Sequence, residues 1–333
     1  MFDLVLIWGG IIGFIIMMYV ILDGFDLGIG ILFPFVRNSN QREIMMSTVV
    51  PVWDGNETWL VLGAACLYAA FPVAYSTLLP LLYIPILIML AALVFRGIAF
   101  EFLFKAHKSR FLWVFSFAAG SILVAFAQGL ILGTFIKGFG SVAEPMPAGA
   151  VQWFSGFSIM TGIAMVCGYA LLGATWLITK THGALQDKMY KYAETALVLV
   201  AIFVGIVSIW TPFTDPTVMT RWFSLPNFFF LVPLPIITGI CVLYLLYALY
   251  QRHEREPFAM AILIFILSYA GLVISIFPYI IPHRTTVWQA AAPENTLVFV
   301  LIGVVILLPI LLGYTFYQYR VFKGKVKTSD LHY

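Results

Sequence analysis

Residues 4–36 read LVLIWGGIIGFIIMMYVILDGFDLGIGILFPFV, a run of 33 residues whose only charged members are Asp23 and Asp26. A helix that crosses a bilayer needs about 20 mostly apolar residues, so this segment is long enough to span with tilt. The rest of the chain follows the same pattern. Of 333 residues, 62% are hydrophobic and only 10% are charged, with a mean hydropathy of +1.00. Soluble domains carry about 25% charged residues. The chain therefore belongs in a membrane, which excludes a soluble enzyme, a nucleic-acid-binding module and a disordered linker. A scan at spanning length predicts nine helices, over 4–36, 44–72, 77–104, 111–136, 152–179, 189–211, 226–250, 257–281 and 295–320. The expected fold is an all-α integral membrane protein, a bundle of nine transmembrane helices forming one polytopic domain over residues 1–333. The N-terminal segment has no basic region and no small-residue cleavage site, so it reads as a retained first helix.

The basic residues orient the bundle. Connections one, three, five and seven and the C-terminal tail carry 14 of the 18 lysines and arginines, whereas the opposite side carries Lys137, Arg221 and Arg284. This asymmetry places the N-terminus outside and the C-terminus in the cytoplasm. Trp8, Trp113, Trp153, Trp210 and Trp288 fall near span ends, as interfacial anchors do. Cys66, Cys167 and Cys241 lie in separate apolar runs with no C-x-x-C spacing, so they predict neither a disulfide framework nor a metal site. The five histidines, His107, His182, His253, His283 and His332, fall in connections or at the C-terminus.

Ionisable groups inside apolar spans cost roughly 2.5–3.5 kcal/mol each on insertion scales, so each one requires a reason. Here they concentrate within residues 4–104: Asp23 and Asp26, Asp54 and Glu57, then Arg96 and Glu101. Asp23 and Asp26 are three residues apart, as are Asp54 and Glu57, so each pair shares a helix face. Straight-helix rise puts Asp26 about 16 Å from Arg37, Asp54 about 18 Å from Arg42, and Arg96 about 13 Å from Lys105, all in the cytoplasmic half of the bilayer. If the first two spans are neighbours, the two acidic faces line one polar track. Four carboxylates against one arginine cannot all stay ionised in a low-dielectric setting: either water enters or some hold a proton near neutral pH, and both outcomes suit proton relay. The bland reading of any one acid is neutralisation of Arg96. The nearby Gly24, Gly28, Gly30 and Gly55 read as close helix contacts. A calcium loop at D-G-F-D is discarded for want of further oxygen ligands.

D-G-F-D-L-G at 23–28, V-W-D-G-N-E-T-W-L at 52–60 and F-R-G-I-A-F-E-F at 95–102 resemble subunit II of cytochrome bd quinol oxidases. R-W-F-S-L-P-N at 221–227 and Y-R-V-F-K-G-K-V at 319–326 look closest to the cyanide-insensitive branch of that family. The resemblance runs over nearly the whole chain. It implies a haem-free subunit of a bacterial inner-membrane terminal oxidase, partnered by a larger haem-binding subunit I that carries two haems b and one haem d. It also implies oxidation of a quinol such as ubiquinol and reduction of O2 to water with cytoplasmic protons, electrogenic without pumping. A bound ubiquinone and a small single-helix accessory subunit belong to the same picture, with no residue here assigned to either. By motif, Asp54 matches the family's proton-path aspartate and Trp53 accompanies it. Asp23 and Asp26 match the first-helix acids, Arg96 the arginine of span three, and Glu101 an acidic position of that stretch. Gln289 stands in W-Q-A-A-A-P where relatives commonly have an acid. The rival functions are a purely architectural subunit that shields the haem protein and a proton-coupled secondary transporter. The transporter would show repeat symmetry and interrupted helices.

Overall fold

The structure, a computed structural model, describes residues 3–103, 105–106, 108–139, 153–214 and 216–326. His107, His332, Lys327 and most of the outer connection 137–151 lie outside the described residues. The first half of the chain forms α1 (Leu4–Leu32), α2 (Ser39–Ser47), α3 (Trp53–Ala70), α4 (Pro72–Phe102) and α5 (Arg110–Lys137). It is followed by α6 (Gly156–Lys180), α7 (Gly183–Thr214), α8 (Pro216–Phe223), α9 (Asn227–Leu231), α10 (Pro233–Tyr250) and α11 (Glu256–Ile276). A hairpin of β1 (Tyr279–Ile281) and β2 (Thr285–Thr286) then leads through α12 (Val287–Ala290) into α13 (Glu294–Val321). Eight helices, or consecutive helix pairs, are long and apolar enough to cross a membrane among the described residues. The expected ninth, α3, is helical over 18 residues but is the most polar of the long segments, because W-D-G-N-E forms its first turns.

Two expectations about the spans need correction. The predicted helix over 44–72 is broken into α2 and α3 by turns at 48–52. Pro51 has no N–H to give and disfavours helical geometry in the residue before it. Asp54 accordingly sits in the first turn of α3, not 18 Å along a straight helix from Arg42. The predicted helix over 257–281 stops at Ile276, ahead of Pro278, and its apolar end Tyr279–Ile281 pairs as a strand.

α1 is the axis of the fold. Asp3 caps it by accepting from the backbone N–H groups of Val5 (2.9 Å) and Leu6 (3.2 Å). Its first half buries Trp8, Ile12, Ile15 and Tyr19 with Trp59 and Cys66 of α3 and Leu297 and Val304 of α13. From Asp23 to Phe33 every residue is buried, among Phe117 and Val124 of α5 and Tyr169 to Leu172 of α6. A helix buried on all sides lies in the interior of its bundle. Trp8, expected at the interface, is fully buried and donates its indole N–H to the Leu297 carbonyl at 3.1 Å. α1 and α6 cross at Gly28 and Gly173, each facing the other's backbone so closely that an added Cβ would overlap it. Small residues let membrane helices meet this way.

Polar contacts gather the connections at the two ends. At one end Arg110 pairs with Glu43, and the Lys188 ammonium donates to Gln41 Oε1 at 3.0 Å. At the same end Arg252 pairs with Asp187 at 2.6 Å and Lys325 with Glu254 at 2.5 Å. At the other end the Trp288 indole donates to Asp3 Oδ2 at 2.7 Å, and Arg284 Nε donates to the Phe139 carbonyl at 2.8 Å. Connections one, three, five and seven and the tail thus share one end. Gln289 caps α12, its side-chain carbonyl accepting from Thr286 N–H at 2.9 Å.

Gly28→Ala or Gly173→Ala should force α1 and α6 apart and cost about 1–3 kcal/mol. Gly10→Ala and Gly303→Ala, where an added Cβ meets nothing, should be neutral in the thermal stability of the purified protein. The Lys325 ammonium, followed by the Gln186 amide, holds the Glu254 carboxyl below its ordinary range. A carboxyl lowered on folding stabilises above its unfolded pKa and loses that contribution as pH falls through the folded value. The stability difference between wild type and Lys325→Ala should therefore be present at neutral pH and vanish in acid; a constant difference would contradict it.

Candidate functional site

The inward face of α1 sets the site. Asp23 and Asp26, one turn apart, both point into the bundle with no solvent exposure. α4 brings Arg96, equally buried, and its Nη2 lies 2.6 Å from Asp23 Oδ1. α3 brings two consecutive residues. Glu57 Oε2 lies 3.3 Å from Arg96 Nη2 and its side chain is 26% exposed. Asn56 donates from Nδ2 to Asp26 Oδ2 at 2.8 Å and to the Leu22 carbonyl at 3.2 Å. α13 completes this side, with the Tyr319 hydroxyl donating to Asn56 Oδ1 at 2.9 Å. Tyr319 in turn packs edge-on against Phe25 and Trp176.

One turn before Asp23, a second chain of bonds begins. Gln128 of α5 donates from Nε2 to the Tyr19 hydroxyl at 2.7 Å and accepts from the Tyr169 hydroxyl of α6 at 2.5 Å. Accepting from Gln128 leaves the Tyr19 O–H to donate, and Asp23 is the side chain it meets. The amide orientations of Asn56 and Gln128 impose a direction on each chain, since one end of an amide donates and the other accepts. Asp23 Oδ2, Asp26 Oδ1, and Arg96 Nε and Nη1 are buried with no hydrogen-bond partner among the described residues. Buried polar atoms of this kind are ordinarily satisfied by ordered water.

The sequence-selected residues separate into two groups. Asp23, Asp26, Glu57 and Arg96 come together as expected. Asp54 does not join them: it is exposed at the start of α3, and among the described residues its side chain makes no hydrogen bond or ion pair, while its carbonyl accepts from Thr58. It lies one turn from Glu57 on the same side of α3, so Glu57 stands between Asp54 and the buried acids. Trp53 stacks on Phe100 of α4, centroids 4.9 Å apart and 14° from parallel, and fixes the start of α3 against α4. Glu101 lies on the surface, 67% exposed and 3.5 Å from Lys105. Five residues past Arg96 on one helix, it points about 140° away. An exposed pair of this kind contributes little. Asn56, Tyr319, Tyr19, Gln128 and Tyr169 were not singled out in the sequence. Among the described residues no three His, Cys, Asp or Glu side chains converge as a metal-binding group.

The arrangement can bind, orient and pass protons. Two carboxyl groups, buried Asp23 and part-exposed Glu57, share one guanidinium, Asp26 lies beside them on Asn56, and directional amide and hydroxyl bonds lead away from the buried acids.

The family profile described as cytochrome bd terminal oxidase subunit II matches residues 4–322. The chain is 27% identical over 367 residues to the cytochrome bd-I ubiquinol oxidase subunit 2 of Escherichia coli (strain K12), covering 98% of this chain and 96% of the relative. It is 28% identical over 339 residues to the cytochrome bd ubiquinol oxidase subunit 2 of Bacillus subtilis (strain 168), covering 97% of each. A chain of the bd oxidase structure from Geobacillus thermodenitrificans superposes with a TM-score of 0.81 at 16% identity, covering 96% of this chain and 98% of that one. That last likeness is one of fold.

Removing one partner of a buried ion pair leaves an uncompensated charge and costs about 3–5 kcal/mol. Arg96→Gln should therefore destabilise the protein by that order. The double variant Arg96→Gln/Asp23→Asn should recover a large part of the loss, as read from thermal unfolding and yield of purified protein. Equal losses in the two variants would mean that the pair carries no mutual energy.

Proposed function

This chain belongs to the cytochrome bd terminal oxidase subunit II family, and from that premise we propose that it supplies a proton inlet to a quinol:dioxygen oxidoreductase. It is a multi-pass subunit of a terminal oxidase of the bacterial inner membrane. In this reading it works beside a larger subunit I, which carries the two haems b and the haem d and there supplies electron transfer and oxygen reduction. A quinol, ubiquinol as in the names of the relatives, is the reductant. A bound ubiquinone and a small accessory helix are compatible partners without residues assigned to them.

The topology proposed is nine crossings with the N-terminus outside and the C-terminus in the cytoplasm. α3 supplies the ninth. Its 18 residues rise about 27 Å, close to the roughly 30 Å of a hydrocarbon core. The gathering of the basic connections and the tail at one end of the bundle supports this orientation.

Each electron delivered to dioxygen must be matched by a proton if water is the product. Drawing those protons from the cytoplasm makes the reaction electrogenic without a pump. The observation that carries the inlet is the position of Glu57: part-exposed, 3.3 Å from Arg96 and next to Asp54 on its helix. Asp54 takes up the proton at the surface of α3, Glu57 passes it across the threshold, and Asp26 or Asp23 receives it through water at their unpartnered oxygens. Arg96 keeps the negative charge count of the cluster low and holds Asp23 in place. Asp26 has no direct cationic partner among the described residues, so it is the buried acid freest to exchange a proton. An exposed carboxylate on a membrane helix also needs a neighbour other than lipid, which makes the Asp54 face of α3 the one expected to meet subunit I. Glu101, turned away, is not on this route.

A second reading is favoured by the Asp23–Arg96 pair itself. Its short distance and complete burial suit a fixed lock, and a subunit made only of such locks would be architectural. Asp54→Asn and Asp26→Asn in the assembled complex separate the two. A positioned proton-transfer group is worth roughly 10²–10⁴ in rate. Quinol oxidase turnover should fall at least about tenfold even where water offers a partial bypass, and its pH profile should change with haem content intact. Unchanged turnover across pH in both variants would leave the architectural role.

A further inference from the structure

The end of the bundle that gathers the basic connections holds a pair of arginines with too little negative charge around them. Arg42 lies on α2, its guanidinium carbon 5.4 Å from the centre of the Phe33 ring. Its Nε is buried and has no partner among the described residues. The neighbouring Glu43 is committed to Arg110, whose Nη2 it binds. Among the described residues no ion pair neutralises Arg42. Burial, and after it the nearby charge of Arg110, lowers the pKa of Arg42, as expected of a cation short of counter-charge. Arg110 opens α5, which has no acidic residue in its first turn and no side-chain cap from Ser109. The positive end of the helix dipole there adds to the potential.

Around α5 from Arg110, by about 100° to 160°, Phe111, Leu112 and Phe115 are 75%, 59% and 63% exposed. The arginine pair thus borders the apolar, outward flank of a membrane-spanning helix. On the far side Lys188 of α7 fixes α2 by donating to Gln41. We propose that Arg42 and Arg110 bind the phosphate of an anionic phospholipid whose acyl chains run along Phe111, Leu112 and Phe115. The lipid would pin α2, and with it the turns at 48–52 that lead into the first turn of α3. Arginine suits the task because its planar fork binds phosphate oxygens in pairs. The assignment is independent of the proton inlet, since none of its residues belongs to that cluster.

The test uses the complex purified from vesicles of mixed phosphatidylglycerol and phosphatidylcholine, with retained lipid counted by native mass spectrometry. Wild type should retain phosphatidylglycerol in preference to phosphatidylcholine. Arg42→Gln, which leaves the Glu43–Arg110 pair intact, should lower that retention about fivefold, the loss expected for one basic contact to an anionic headgroup. Glu43→Gln should move it the other way by freeing Arg110, a gain that a misfolded variant would not show. Inorganic phosphate in large excess should leave the lipid in place. Retention unaltered by both substitutions would overturn the site, and displacement by inorganic phosphate would make it a free-phosphate site instead.

Discussion

A guanidinium carried into the interior of a membrane bundle has to be neutralised there, and Arg96 meets Asp23 with neither side chain exposed. Most of the surrounding geometry follows from that requirement. Arg96 comes from α4 and Asp23 from α1, so both helices must present their polar faces at one depth. Glu57 can approach the same guanidinium only if α3 packs beside them, and Trp53 against Phe100 sets that approach. The cost of removing two charges from water is offset only when their remaining hydrogen-bonding capacity is used. Among the described residues, Asp23 Oδ2 and Arg96 Nε and Nη1 find no hydrogen-bond partner. Water in the cluster would serve stability and proton movement alike.

α1 is therefore both core and site. Its Asp23–Phe33 stretch is buried all round, and the Gly28–Gly173 crossing brings α6 against it. The same crossing brings Tyr169 within reach of Gln128, next to Tyr19. Close packing and a directional polar chain are thus built from the same turns of helix. On the other side Tyr319 reaches in from α13, near the end of the chain, to orient Asn56 and through it Asp26. The site is closed by residues from six helices.

Much of this was legible in the sequence because charge inside an apolar run is conspicuous. The two three-residue spacings and Arg96 named the helices that meet. The misplaced residues fail for identifiable reasons. Pro51 ends the regular helix on which the depth of Asp54 was reckoned, and Glu101 lies on another face of the helix that carries Arg96. The missed residues are neutral: a tyrosine, asparagine or glutamine in an apolar run resembles interfacial or core packing until its partner is known. Their partners lie far away in sequence, 263 residues in the case of Tyr319 and Asn56. A lone Gln128 within α5 was the one signal available, since an amide at that depth requires both a donor and an acceptor. The polar W-D-G-N-E that marks the site also lowers the hydropathy of α3, so eight helices stand out as apolar enough to cross among the described residues.

Whether the cluster exchanges protons during turnover is the point on which the functional reading rests. Infrared difference spectroscopy between the oxidised and reduced states of the assembled complex reads the carboxylic C=O stretch directly. A redox-linked carboxyl band that disappears in Asp26→Asn and survives in Glu101→Gln is the expected result. A difference spectrum without carboxyl bands, or with bands that neither substitution alters, would mean that the buried acids keep their protons fixed and serve the fold alone.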